Sequence, residues 1–297
     1  VTGLPLPRKK KSKSKKKKRK GAKKKAVADA AAAQDEIVTA DEVTEEVVTL
    51  PTIVETAKRT NRVFSCLWKG EDLPGFCNNV YGPKYVECLN RGVRRHVPNG
   101  QLTMLCDEYY YQILKKDKRF NSVRLEKFAE PGVGGWSRIF EVNRENLRPK
   151  LGKRHVWVGL DTVFMGNCQW LFDWSYSPVG LPMDPFHPHV ACNGVWTWDY
   201  EGAAFVWDEY QAAKASKMEN YQLFGRPSEM MLLRYLFKAE GWVPLEDKPR
   251  KLLSYKRHVL FGYNPWKMQT SITYFHGNPK PHQLKRDNLM SAEWLKR

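Results

Sequence analysis

Asp161 follows the apolar run Val156-Trp157-Val158 with Gly159 and Leu160 between, and His276-Gly277-Asn278-Pro279-Lys280-Pro281 lies far downstream. A carboxylate at a strand end can hold a hard divalent cation that bridges two phosphates. A neutral imidazole such as His276 can serve as a further ligand. Lys280 can meet a diphosphate as a point charge. The two prolines restrict the turn, so its side chains, and the backbone at Gly277, are pre-placed. Taken alone, Asp161 reads equally as an acid that ends a strand or pairs with a lysine, and the turn as a surface turn with a solvated amine. Their co-occurrence points to a site for Mn²⁺ or Mg²⁺ and a diphosphate, with Asp161 and His276 on the metal.

Other residues fit around that pair. Asp107 ends a second apolar run, Leu102-Thr103-Met104-Leu105-Cys106. Gly134-Gly135 precede Trp136-Ser137-Arg138; glycines before a helix leave room for a ligand, and Arg138 can hydrogen-bond a phosphate or a sugar hydroxyl. Asn193, beside Gly194 in an apolar run, can bind sugar hydroxyls or satisfy a local bulge. Asp184 and Glu229 are acids of the second half that suit catalysis near a sugar; a helix cap or an exposed carboxylate is the alternative for each. His187 and His189 flank Pro188, a spacing that is weak evidence for a metal pair, and Trp198, Trp207 and Trp242 read as core rather than as a base-stacking platform.

These residues need elements to position them. Apolar runs predict strands at 63–68, 102–107, 122–125, 156–160, 190–198 and 272–275. Helices are expected from 81, carrying Val86, Leu89 and Val93, and over 136–146, 169–173, 203–217 and 227–239. Strands alternating with helices argue for an α/β fold with a mostly parallel sheet covered on both faces, and ligands then bind beyond the carboxyl ends of the strands. Asp107 and Asp161 both fall there.

The net charge of +18 is unevenly spread. Residues 8–25 hold fourteen Lys or Arg and no acid, and residues 26–57 hold eight acids and no base. Setting both aside leaves +12 on residues 58–297. Residues 1–57 read as a disordered tail, and 58–297 as the folded domain. Lys9, Lys10, Lys11, Lys15, Lys16, Lys17, Lys18 and Arg19 are the expected polyanion-binding residues, with nucleic acid as the partner and an inert solvated tail as the alternative. The six cysteines form no CxxC pair, which fits buried, reduced thiols in a cytoplasmic protein, of the host cell if viral. No 18-residue apolar run suggests a membrane span, and no apolar segment follows the basic block as a secretory signal requires. The start at Val1 rather than Met suggests a fragment or an unusual start.

Together these stretches resemble nucleotide-diphospho-sugar transferases of the glycosyltransferase-A fold, in the glycogenin-like and lipopolysaccharide galactosyltransferase-like branch of bacterial and phage type. The resemblance runs from about Arg62 to Pro281 and implies a Rossmann-like sheet. Leu160-Asp161-Thr162-Val163 resembles the Asp-x-Asp segment, Cys106-Asp107 the strand end beside the base, and Gly135-Trp136-Ser137-Arg138 a donor-contacting stretch. Asn193-Gly194-Val195 is similar to the strand near sugar and acceptor. His276 to Pro281 resembles the closing Gly-x-x-Lys-Pro turn. Gly159 stands where the first Asp would be, Tyr274 where the closing His would be, and Ser228-Glu229 where an Asp-Gln pair is common. The resemblance implies a hexosyl- or pentosyltransferase moving a sugar from a nucleoside-diphosphate donor to an acceptor hydroxyl; the basic tail and the +12 domain suggest a nucleic acid such as phage DNA as acceptor, with a surface glycan, lipid or protein hydroxyl as the alternative. A non-catalytic relic that binds nucleotide or polyanion is the rival reading, favoured by Gly159.

Overall fold

The computed structural model describes residues 60–69, 81–129, 135–216, 222–223, 226–237, 243–245 and 250–296. The whole basic and acidic tail, Cys77 and Trp242 lie outside them. The first half runs β1 (Asn61–Leu67), α1 (Pro83–His96), β2 (Gly100–Cys106), α2 (Glu108–Lys116), β3 (Arg124–Lys127), a 3-10 run at Gly135–Asn143, and β4 (His155–Val158). It continues with β5 (Val163–Phe164), α3 (Gln169–Phe172), β6 (Val179–Leu181), β7 (Val195–Trp198), α4 (Tyr200–Ala215), β8 (Gln222–Leu223) and β9 (Arg226–Pro227). The last elements are α5 (Glu229–Leu236), β10 (Val243–Pro244), β11 (Leu252–Ser254), β12 (Ile272–Tyr274) and α6 (Leu289–Leu295).

A seven-stranded sheet has the order β10-β6-β7-β4-β1-β2-β3. β1 lies parallel to both β2 and β4, β3 is parallel to β2, and β7 runs antiparallel to β4 and β6. The last five residues of β1 and all of β4 are buried, as central strands covered on both faces must be. Side chains alternate across the sheet: Val63 and Leu67 face one apolar cluster with α1 and α6, while Phe64 and Cys66 face the other with the 3-10 run, α4 and α5. A small sheet, β11-β12-β5, carries the chain into the His276 turn.

α1 starts with Pro83 in its first turn, where a missing N–H costs no hydrogen bond, and ends on Arg94, Arg95 and His96, which suit the negative helix terminus. Val86, Leu89 and Val93 form its buried stripe, and Gly92 lets the Phe164 ring approach to where a Cβ would meet it at 3.0 Å. The segment 136–146 corrects the expectation of an α-helix: it is 3-10 helix, Gly135–Asn143 and then Glu145–Leu147. There Asn143 donates from its side chain to the Phe140 carbonyl 3.2 Å away, a local bond that competes with an α-helical ladder. The strand expected over 190–198 is confined to β7; Ala191 makes only an isolated bridge with Met183. The expected third strand is displaced by two residues, to Arg124–Lys127.

Candidate active site

The carboxyl ends of β1 and β4 and the amino end of β7 converge on one edge of the large sheet. Two residues past β4, the chain turns on a Thr162 N–H to Gly159 carbonyl bond of 3.0 Å, and Asp161 occupies that turn. Gly159 is tied across to β7 by its N–H on the Gly194 carbonyl at 3.2 Å. A Cβ on Gly194 would lie 2.7 Å from the Tyr274 ring, so β7 and β12 pack here only because a side chain is missing.

The turn after β12 folds back onto the same edge. Gly277 has φ +63°, a left-handed conformation that favours glycine. Asn278-Pro279 is a cis peptide, and the Lys280 N–H donates to the Gln283 side chain at 2.6 Å. The Lys280 ammonium then meets the Asp161 carboxylate across 119 positions of sequence, donating to Oδ2. The Tyr81 hydroxyl donates to the same oxygen at 2.9 Å, and the amine also lies 5.3 Å from the Tyr81 ring centre. Asp161 and Lys280 are 6% and 7% exposed, so this is a buried ion pair rather than a surface one. The Tyr85 hydroxyl bonds His282 Nδ1 one turn of α1 further on, pinning the end of the loop.

His276 stands beside that pair. Phe186 meets it edge-on at 5.2 Å and Tyr274 lies 5.8 Å away. Both ring nitrogens are shielded from water and have no hydrogen-bond partner. Burial lowers its pKa, with Asp184 and Asp161 pulling upward against Lys256 and Lys280, so the imidazole is neutral at pH 7.

On the β7 side, Asn193 Nδ2 donates to Glu229 Oε1 at 3.1 Å, and Glu229 opens α5. Burial pushes the Glu229 carboxyl up to about 7 against the opposing pull of its backbone and Asn193 hydrogen bonds. The buried Cys66 thiol at the end of β1 feels the charges of both Glu229 and Arg138, and its own pKa is driven up by burial. Arg138 lies over the Phe128 ring at 5.2 Å, and its Nε is buried without a partner. Glu229, Asn193 and Arg138 thus surround the ends of β1 and β7, and Asp161, Lys280 and His276 the end of β4.

Two expected residues have other occupations. Asp107 caps α2 through Tyr110 N–H at 2.9 Å and takes the Lys69 N–H at 2.6 Å, so both oxygens bind backbone. Asp184 accepts from the Phe186 and His187 amides at 2.8 and 2.9 Å and from Arg234 at 2.5 Å. These bonds hold the Asp184 carboxyl below the usual carboxylate range despite the opposing effect of burial, the largest influence on it. The Lys9–Arg19 polyanion-binding residues lie outside the described residues. Sequence reasoning missed Tyr81, whose place directly before Gly82-Pro83 marks it as the residue that enters α1.

The residues present do not fit a divalent cation. At a diphosphate such ions are held by one or two free carboxylates, with water and phosphate supplying the rest of their six or more oxygens. Here one carboxylate is available, and its Oδ2 already accepts from an ammonium and a phenol. Gly159 contributes nothing, and a Cβ there would lie 2.9 Å from Asp161 Oδ1. Among the described residues no three His, Cys, Asp or Glu side chains gather as a metal-holding group. The unpartnered His276 would suit a ligand of another kind, an oxygen that accepts its N–H.

No protein-family model matches the sequence, and no curated protein does. The structure is similar to that of an active-site variant of LgtC, with a TM-score of 0.55 at 10% identity, covering 78% of this chain and 93% of that one. The galactosyltransferase LgtC in complex with donor and acceptor sugar analogues gives 0.51 at 12% identity, covering 76% and 90%. The glycosyltransferase GlyE of Streptococcus pneumoniae TIGR4 gives 0.54 at 14% identity, covering 80% and 60%. The chain therefore has the glycosyltransferase-A fold, with helices on both faces of a mostly parallel sheet in which, among the described strands, β7 runs opposite to its neighbours. Among the described residues no helix is long and apolar enough to cross a membrane.

Proposed function

We propose that the protein transfers a hexosyl or pentosyl group from a nucleoside diphosphate to an acceptor hydroxyl. The meeting of the Lys280 ammonium with Asp161 at the carboxyl end of β4 carries this reading, because it brings a fixed cation to the edge where this fold binds ligands. The leaving diphosphate gains negative charge as the bond to the anomeric carbon lengthens. Lys280, and Arg138 from the β1 side, offset that charge where it develops. His276, neutral and unpartnered, donates to a phosphate or sugar oxygen. Glu229 and Asn193 face the sugar, the carboxylate stabilising positive charge at carbon and the amide holding a hydroxyl. Gly277 lets the diphosphate approach the turn's backbone. Asp107 and Asp184 support this wall from outside, the first by starting α2 and the second by holding the Phe186 turn against His276.

The acceptor we propose is carried on a polyanion, with a hydroxylated base of phage DNA as the model case. The +12 charge of residues 58–297, before the basic block is added, supports it. The test of transfer is donor hydrolysis and transfer across a panel of nucleotide sugars. Wild type turns over at least one donor, Asp161→Ala turns over none, and full activity in that variant would remove the proposal. Duplex DNA binding across a salt series tests the acceptor: a steep fall with salt supports DNA, and absent or salt-blind binding points to a surface glycan.

A further inference from the structure

We propose that this site grips its nucleoside diphosphate without a divalent cation, the Lys280 ammonium taking the position against Asp161 that a metal would need. The inference rests on the transfer reading above and concerns how the same site neutralises phosphate charge.

Three observations carry it. The carboxylate of Asp161 has one oxygen to offer a metal: Oδ2 accepts from Lys280 and Tyr81, and Oδ1, 2.9 Å from where a Gly159 Cβ would be, has no second acid beside it at that position. The charge around the turn also has the wrong sign for a cation. Lys280 neutralises Asp161, and the Lys256 amine sits 3.7 Å from where a Gly277 Cβ would be. Asp184, the next carboxylate toward His276, is itself matched by Arg234 at 2.5 Å. An incoming Mn²⁺ or Mg²⁺ meets a neutralised acid and a free amine, whereas a diphosphate meets two amines and one acid. Finally, Tyr274 holds the position on β12 beside Gly194, and its ring fills the space next to that backbone, so β12 directs no imidazole there.

Asp161 is then a positioning residue. It holds a buried ammonium, with the Tyr81 ring alongside, aimed along the edge of the sheet. When diphosphate enters, the Lys280 ammonium keeps its hydrogen bond to Asp161 Oδ2 and donates another of its three N–H groups to a phosphate oxygen, so neither buried charge loses its partner.

The test is calorimetric titration and thermal shift of the full chain with UDP, GDP, CDP and ADP, in excess EDTA and then in Mn²⁺ or Mg²⁺. At least one nucleotide is expected to bind in EDTA with a Kd within about twofold of its value in Mn²⁺, a difference of less than ~0.5 kcal/mol. Lys280→Gln weakens that binding by about tenfold or more, and Lys280→Arg retains most of it, which separates lost charge from lost fold. Binding that appears only with Mn²⁺ or Mg²⁺ overturns the proposal and leaves sugar transfer standing. Failure of all four nucleotides to bind under any condition overturns both.

Discussion

The pair of Asp161 and Lys280 makes a quantitative prediction that does not depend on any substrate. Both side chains are more than nine-tenths buried, so removing one leaves the other charge in a poorly hydrated place. Breaking a buried pair this way costs about 3–5 kcal/mol, against about 0–1 kcal/mol for an exposed pair. Tyr81 keeps one hydrogen bond to Asp161 when Lys280 is lost, which favours the lower end. Asp161→Asn and Lys280→Met should therefore each destabilise the protein by about 3 kcal/mol, lowering Tm by about 6–12 °C for a domain of this size. The double variant removes both charges and strands neither. It should cost about as much as either single change, a coupling energy of about 3 kcal/mol. Urea unfolding at pH 7 of the four proteins measures the cycle, and repeating it at high salt should change the coupling little, because a buried pair is weakly screened. Single losses below ~1 kcal/mol with additive doubles would mean that residues 161 and 280 do not meet in solution, and the donor site built on their meeting would fall with them.

Glu229 carries a pH signature. Its folded carboxyl titrates at about 7 instead of the usual 4.5, so ionising it penalises the folded state; the penalty is absent below pH 4.5, grows as pH rises, and is complete above pH 7. Glu229→Gln should gain on wild type by up to about 3 kcal/mol between those limits, and unfolding curves that stay parallel from pH 4.5 to 8 would contradict the burial. His276→Phe keeps the ring packing and breaks no hydrogen bond, so urea melts should show a change below about 1 kcal/mol while donor turnover falls by about tenfold or more. Turnover equal to wild type would leave the two bare nitrogens without a role. Gly194→Ala places a methyl 2.7 Å from the Tyr274 ring and should cost about 1–3 kcal/mol in the same melts; a neutral result would mean that β7 and β12 are looser than described.

The elements that position the site were legible wherever periodicity was strong. β1, β2 and β4 are inner strands, and their apolar runs, interrupted only by Ser65 in β1 and Thr103 in β2, announced it. α1 was legible from Pro83 and the Val86-Leu89-Val93 stripe. β5, β6 and β11 were not, because two or three residues contain no period to detect; β12, equally short, was legible only from its β-branched and aromatic run Ile272-Thr273-Tyr274-Phe275. α2 was hidden by its composition: Tyr109-Tyr110-Tyr111 favours strand by propensity, and what starts the helix is the Asp107 cap. The same cap explains why Asp107 looked like a ligand. An acid just beyond a strand is the right residue for a helix start as well as for a phosphate site, and only the partners of its oxygens tell the two apart.

At the site, residue types were legible but pairings were not. Residue type brought Asp161, His276 and Lys280 into view as acid, imidazole and amine, the first two expected on one metal and the third on the diphosphate. A sequence contains no signal for the sharing of one carboxylate oxygen by an amine 119 positions away and a tyrosine 80 positions away. Yet the departures at 159 and 274 constrain the pairing once it is seen. A second acid at 159 would start from a Cβ 2.9 Å from Asp161 Oδ1 and would set two like charges beside each other. One ammonium could balance only one of them, and the excess charge would need a cation to settle it. With glycine at 159 that excess never arises, and a single lysine suffices. The missing acid, often a mark of decay, is here the condition under which Lys280 and Asp161 balance on their own.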